Sequence, residues 1–391
     1  VEHNDFGTDE FLAFCRLLGT EPMIAANTGF GDAYSAAQWV EYTNGDRSTI
    51  GGGWRAKNGH KEPYGVRYWC VGNEMWGDWQ LGHMQLHHYT LKHNRVAEAM
   101  LGADSDLILI ASGDLERVNH ATDPVQSASG MPWTEGMLRA SSDYMDYISE
   151  HFYTGRVPWS DEGRVELDAH LENMRSNIRR KAEGHRELQP RLEALEGQTM
   201  PIAMTEWNYW HRDYRYGELG CIYDLADGLG VAAGLHEYFR HTDIIDMALY
   251  AQTVNVIGAI KTTRIAAVME TTGLALTMYR RHFGTQPVKV EYPDGPFDIS
   301  AALTEDGKAL TVAVINPRET QARVALALDG LTLGGTGTRW HFTGPDEFSH
   351  NVPGKERVVE IEQTEVAQPA QGLEVPGLSA AIFVLPLQSA R

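Results

Sequence analysis

Apolar residues along the chain alternate between stretches with helical spacing and short runs that read as strands. Phe11 to Leu18 recurs at helical intervals and stops at Gly19, and Pro22 to Ala26 is a short apolar strand ending at Asn27. Ala33 to Tyr42 reads as a helix, whereas Gly51 to Tyr64, with three consecutive glycines and several charges, reads as a loop. Val66 to Gly72 carries only Arg67 as a charge, so a strand buried on both faces is expected, ending at Asn73 and Glu74. Leu86, Tyr89, His93, Val96, Ala97 and Met100 share one helical face, closed by Gly102, and Leu107 to Ala111 is the next strand. After Gly130, Met131 to Ala140 is a short helix with Pro132 in its first turn. Tyr147 to Phe152 is a strand with His151, Phe152 and Tyr153 at its end. Residues 162 to 196 place Leu167, Leu171, Met174 and Ile178 on one face of a long helix whose other face is charged. Pro201 to Thr205 is a strand ending at Glu206. Leu225 to Arg240 is a helix, Ile245 to Ala251 a strand ending at Gln252 with Asn255 beyond it, and Leu274 to His282 the last helix.

Six strands therefore begin near residues 21, 66, 106, 146, 200 and 246, each followed by a helical stretch. Such spacing is the signature of a (β/α)8 TIM barrel. A doubly wound sheet would alternate similarly, but no dinucleotide fingerprint is present, and the glycine triplet lacks the Gly-Lys-Ser/Thr ending of a phosphate loop. Closure needs eight strands. The expectation is that the first two βα units are absent, that the native product is longer, and that the barrel here is open. From residue 284 the period shortens to two. Leu310, Val312 and Val314 share a face, as do Val324, Leu326 and Leu328, with Glu305-Asp306-Gly307 as a hairpin turn. A catalytic barrel over 1–283 and an antiparallel β-sandwich over 284–391 are expected.

At 391 residues two domains are the natural count. Acidic residues outnumber basic ones 53 to 33, a net charge of -20, which argues against nucleic acid or an anionic membrane as partner. No apolar run approaches the roughly 18 residues that cross a bilayer. Cys15, Cys70 and Cys221 are odd in number and far apart, so free thiols and a reducing, cytoplasmic compartment are expected; an export signal upstream of Val1 would be invisible.

The chemistry is concentrated at two strand ends. Asn73 and Glu74 close one strand and Glu206 another, each followed by tryptophan, and in parallel barrels the C-terminal strand ends form the reactive mouth. Indole faces beside a carboxylate suit a sugar ring, with its apolar CH face and hydroxyl rim. Two carboxyls across a dry cleft fit glycoside hydrolysis, with retention at a separation of about 5 Å. One pKa is then expected to rise to make an acid while its partner stays an anion. Against this stands the plainer reading of surface ion pairs and core-filling tryptophans. The cluster Trp207, Tyr209, Trp210 and Tyr214 divides in the same way, between a substrate subsite and loop packing. His83 and His87 stand four apart as a metal pair, but no third ligand lies nearby, so neither metal nor cofactor is expected.

YWCVGNEMWGDWQLGH around Glu74, AMTEWN around Glu206 and AQTVNVIGAI from Ala251 resemble glycoside hydrolase family 51, the α-L-arabinofuranosidases. The likeness extends to FGTDEFLAFCRLLGTEP, WVEYTNG and EPYGVRYW. The resemblance implies Glu74 as general acid/base and Glu206 as nucleophile of a retaining enzyme acting on terminal α-L-arabinofuranosyl residues of oligo- or polysaccharides. Asn73 would bind near the sugar 2-hydroxyl, Tyr153 would hydrogen-bond the nucleophile, Gln252 would hold another hydroxyl and Trp79 would line the leaving-group side. It also implies a homo-oligomer. The family's RYPGGN-like segment is not found in this sequence, so the expectation is that part of the glycone pocket lies outside it. Two alternatives stay open: a β-xylosidase or endo-β-glucanase on the same barrel, and an inactive carbohydrate-binding remnant.

Overall fold

The computed structural model describes residues 3, 5–116, 131–155, 166–211, 214–292 and 295–388. Gly130 and the 162–165 start of the expected long helix lie outside them. Strands β1 (Met23–Ala26), β2 (Tyr68–Val71), β3 (Ile108–Ala111), β4 (Tyr147–Thr154), β5 (Ile202–Tyr209) and β6 (Ile245–Tyr250) form one six-stranded sheet in chain order. The pairings from β1 through β4 are parallel, with Met23 opposite Tyr68 and Tyr68 opposite Ile108. Helices α1 (Thr8–Leu18), α2 (Ala33–Asn44), α3 (Ile50–Lys57), α4 (Leu86–Ala103), α5 (Trp133–Ser141), α6 (Leu167–Leu188) and α7 (Leu225–Arg240) accompany the strands, all but α3 within stretches of helical periodicity. Among the described residues β1 and β6 remain the two edges of the sheet, with no pairing between them.

The chain forms two compact units, 1–151 with 181–205 and 243–247, and 152–180 with 206–242 and 248–391. In the first, the apolar face of α4 is buried residue for residue as expected. Val40, Trp69, Val71, Val96, Met100 and Leu109 form a core between α2, α4 and the sheet. α4 runs through Gly102 and stops at Asp104, whose carboxylate accepts from Asn44 Nδ2 at 2.7 Å.

The glycine triplet is helical, not a loop, and packing is the reason. Thr49 caps α3, its hydroxyl accepting from Gly52 N at 3.1 Å. A Cβ on Gly51 would stand 2.6 Å from Tyr42 N, and one on Gly52 2.2 Å from Asp46 O, so only glycine lets α3 approach that closely. The approach brings Arg55, fully buried, onto the carbonyls of Tyr42 at 2.6 Å and Gly45 at 2.9 Å. These contacts offset a helix propensity deficit of about 1 kcal/mol per glycine.

In the second unit, a short hairpin of β7 (Ile260–Thr262) and β8 (Ala267–Met269) precedes α8 (Thr271–His282). The C-terminal strands are β9 (Gln286–Pro287), β10 (Asp298–Leu303), β11 (Ala309–Asn316), β12 (Ala322–Val324), β13 (Gly337–Thr343), β14 (Glu362–Val366), β15 (Leu373–Val375) and β16 (Ser379–Pro386). An antiparallel sheet in the order β14-β13-β16-β11-β10-β9 stands with a separate β12-β15 pair, both contributing to one core around Val312, Val314, Leu373 and Phe383. Glu305-Asp306-Gly307 makes the β10–β11 turn, Gly307 with φ 67°. Leu326 and Leu328 pack on that core, but β12 ends at Val324 because its partner strand begins opposite, at Leu373. Asp298 ties β10 to the helices: it meets Arg175 at 2.8 Å and His236 at 2.9 Å, and Arg240 as well. Burial alone would raise this carboxyl, but His236 and Arg240 hold it well below the usual range.

Glu270, 1% exposed, precedes α8 and accepts from Tyr223 N at 2.6 Å, while its Oε1 has no hydrogen-bond partner among the described residues. Burial pushes its carboxyl up to about 7, against the opposing pull of the Tyr223 N–H and Lys261. Between its ordinary value of 4.5 and about 7 the folded chain keeps a proton that the unfolded chain has released, so stability falls as pH rises through that window. Glu270→Gln is expected to flatten the fall. Melting curves at pH 5 and pH 7.5 check it: equal declines in variant and parent would refute the assignment.

Candidate active site

β2 ends at Val71, and three residues on, the backbone at Glu74 turns to φ 47°. A left-handed conformation is uncommon for a residue with a side chain and costs on the order of 1 kcal/mol or more, which is tolerated mainly where a side chain must be aimed. Glu74 is 9% exposed and fully engaged. Its Oε2 accepts from Trp79 Nε1 at 2.6 Å and from Gln80 Nε2 at 3.2 Å, and its Oε1 lies 2.9 Å from His151 Nδ1. His151 Nε2 is in turn 2.6 Å from Thr205 Oγ1. A hydroxyl can donate or accept, so Thr205 serves either imidazole tautomer. Trp79 folds back over Gly77, where a Cβ would stand 2.6 Å from the indole. Trp76 meets it edge-on at 5.2 Å and is anchored by its own N–H to Gly113 O at 3.0 Å.

Here one expectation is corrected. Burial pushes the Glu74 carboxyl up, but the hydrogen bonds and charge of His151, joined by Trp79 and Gln80, outweigh it and hold the pKa below the ordinary 4.5. Donors to both oxygens stabilise the carboxylate, not the acid.

His151 owes its place to the opposite face of β4, where successive side chains alternate. Glu150, with no exposed surface, accepts from Lys181 Nζ at 2.8 Å, Thr134 Oγ1 at 2.8 Å and Leu115 N at 3.0 Å, and meets His185 Nε2 at 2.9 Å. A buried carboxylate so fully partnered leaves β4 one register.

In the second unit, Tyr153 donates its hydroxyl to Glu206 Oε2 at 2.6 Å. Both strands outrun their expected ends, β4 to Thr154 and β5 to Tyr209, because Trp207 and Tyr209 are core residues whose burial extends β5 beyond Glu206. The aromatic cluster is thus divided. Trp207 packs against Tyr238 and Tyr250, and Tyr209 stacks on His170, whereas half-buried Trp210 stands edge-on to Tyr153 at 5.1 Å. Gln252 is exposed on the loop after β6, and Asn73 is half-buried beside Glu74. His83 and His87 are both exposed, and the described residues bring no third ligand to them. Among the described residues Cys15, Cys70 and Cys221 form no disulfide. Thr205 and Asn208 were not singled out by sequence reasoning; their positions beside Glu206 in TEWN were the available signal.

Two family models match the chain: the α-L-arabinofuranosidase 1 domain over residues 1–168 and the α-L-arabinofuranosidase C-terminal domain over 205–379. A probable α-L-arabinofuranosidase C of Aspergillus flavus is 32% identical, the match covering 93% of this chain and 74% of that protein. The α-L-arabinofuranosidase of Thermotoga maritima, solved with arabinose, superposes with a TM-score of 0.84 at 30% identity, over 99% of this chain and 80% of that one. The thermostable family 51 enzyme of Thermotoga petrophila gives 0.80 at 29%, over 98% and 79%. With its β/α half-barrel and antiparallel C-terminal region, and with such matches along nearly its whole length, the chain belongs to the family 51 α-L-arabinofuranosidases, which are glycoside hydrolases.

Proposed function

We propose that the enzyme releases terminal non-reducing α-L-arabinofuranosyl residues from arabinose-containing oligo- or polysaccharides by double displacement, with Glu206 as nucleophile and Glu74 as acid/base. The observation that carries this reading is the hydrogen bonding of each carboxylate within its own unit. His151 faces Glu74 in the first, and Tyr153 donates to Glu206 in the second. The Tyr153 hydroxyl, donating to Glu206, holds the carboxylate that attacks the anomeric carbon as the glycosidic C–O bond breaks. Glu74 gives its proton to the departing oxygen, then recovers one from the water that cleaves the glycosyl-enzyme ester. Trp79 and Gln80, both on the exit loop and both on Oε2, favour the anion, so their withdrawal strengthens the hold of Glu74 on that proton.

Asn73 and Gln252 hold sugar hydroxyls in this reading, and Trp79 lines the leaving-group side. An odd set of cysteines without a disulfide among the described residues accords with a reducing, cytoplasmic compartment. Turnover of an aryl α-L-arabinofuranoside, compared with an aryl β-xyloside and a soluble glucan, tests the substrate class. The furanoside is expected to lead in kcat/KM by about a hundredfold or more. No preference for it would overturn the reading.

A further inference from the structure

Asn208, two residues beyond Glu206 on β5, has no exposed surface and every polar atom of its side chain is used. Its Oδ1 accepts from Tyr209 N at 2.7 Å. Its Nδ2 lies 2.5 Å from Ala251 O, 2.8 Å from Ile257 O and 2.8 Å from the Tyr223 hydroxyl. One amide has two hydrogens for these three acceptors, so at least one is shared. Tyr223 passes its own hydroxyl hydrogen to Tyr209 O at 2.7 Å, returning the network to β5.

The two carbonyls bracket the loop that carries Gln252. Ala251 is the residue before Gln252, and Ile257 closes the loop just before β7. The backbone inside the loop has its own links: Gln252 O accepts from Ala259 N at 2.9 Å, and Val256 O from Cys221 N at 2.9 Å. Those bonds hold the loop to itself and to the 214–223 segment. At β5 the loop is met by Ala251 N, 3.3 Å from Trp207 O, and by the Asn208 amide. The Gln252 side chain is exposed, so its place follows from the backbone that carries it.

We propose that Asn208 is a positioning residue for sugar recognition: by clipping both ends of the 251–257 loop to β5, it sets where Gln252 stands relative to Glu206. This rests on the reading of Gln252 as a hydroxyl ligand. Substrate binding through Gln252 then depends on Asn208, while the attacking carboxylate, held by Tyr153, does not.

The test is a double-variant cycle on the full chain with an aryl α-L-arabinofuranoside. Asn208→Ala is expected to raise KM about five- to tenfold, as for loss of one neutral hydrogen bond, with kcat changed less than about threefold. Asn208→Ser, which leaves a smaller cavity, is run beside it in case the alanine variant does not fold. Gln252→Ala should raise KM similarly, and the double variant no further, because an anchor has no effect once what it anchors is gone. Asn316 is the structural control. It is equally buried in β11 and clips Thr320 O at 3.0 Å and Pro376 O at 2.8 Å, so Asn316→Ala should lower Tm and leave KM alone. Additive KM effects, or an unchanged KM in a folded Asn208 variant, overturn the inference while leaving Gln252 its role. An unchanged KM in Gln252→Ala overturns that role and the proposed route with it.

Discussion

Glu206→Ala is expected to lower kcat on an aryl α-L-arabinofuranoside by about ten-thousandfold or more, because the covalent intermediate of this reading is an ester of that carboxylate. The Tyr153 hydroxyl donates its hydrogen to the same carboxylate at 2.6 Å. Added azide fits the space left by the carboxyl and can displace the leaving group directly. The single displacement yields a β-arabinofuranosyl azide, inverted relative to substrate. A variant that keeps more than about a tenth of the parent rate would remove Glu206 from the nucleophile's role.

Glu74→Ala separates substrates by their leaving groups. A dinitrophenolate departs without a proton, so the first step on such a substrate should survive nearly unchanged. An alkoxide leaving group needs the proton, and kcat/KM on an arabino-oligosaccharide should fall by about a thousandfold. The second step also slows, because no base activates water, and the glycosyl-enzyme should accumulate. Azide needs no deprotonation, so it should restore turnover and give the α-azide, the opposite anomer from that of the Glu206 variant. Equal losses on both substrates would deny Glu74 its acid/base role. Identical azide products from the two variants would deny the division of labour.

The hydrogen bonds around Glu74 bear on how that acid works. An anion held by His151, Trp79 and Gln80 is a resting arrangement, and two of the three donors belong to a loop on which Trp79 is 57% exposed. Burial pushes the carboxyl one way and donors the other, so moving the indole changes its proton affinity without moving a charge.

Much of the fold was legible in the chain because the signals were strong and local. The buried face of α4 and the full span of α7 followed from apolar spacing alone, and the turn at Gly307 from its acidic-glycine pattern. Three consecutive glycines misled for an equally physical reason: intrinsic propensity disfavours a helix there, and only the close approach to α2 and the seat for Arg55 reverse it. Strand ends were drawn too early at Phe152 and Thr205 because the polar residues there look like loop, while burial of Trp207 and Tyr209 carries β5 onward.

By itself the sequence determined which residues could do chemistry: two glutamates, each at the end of an apolar run with tryptophan beyond. Composition and periodicity act over a few residues, and those features are written at that range. Only the tertiary structure decided that Glu74 rests as a carboxylate and that Asn208 holds the loop of Gln252. A pKa and a clip depend on what burial removes and on which donors arrive from residues up to 77 positions away, as His151 does for Glu74, and no local pattern carries that information.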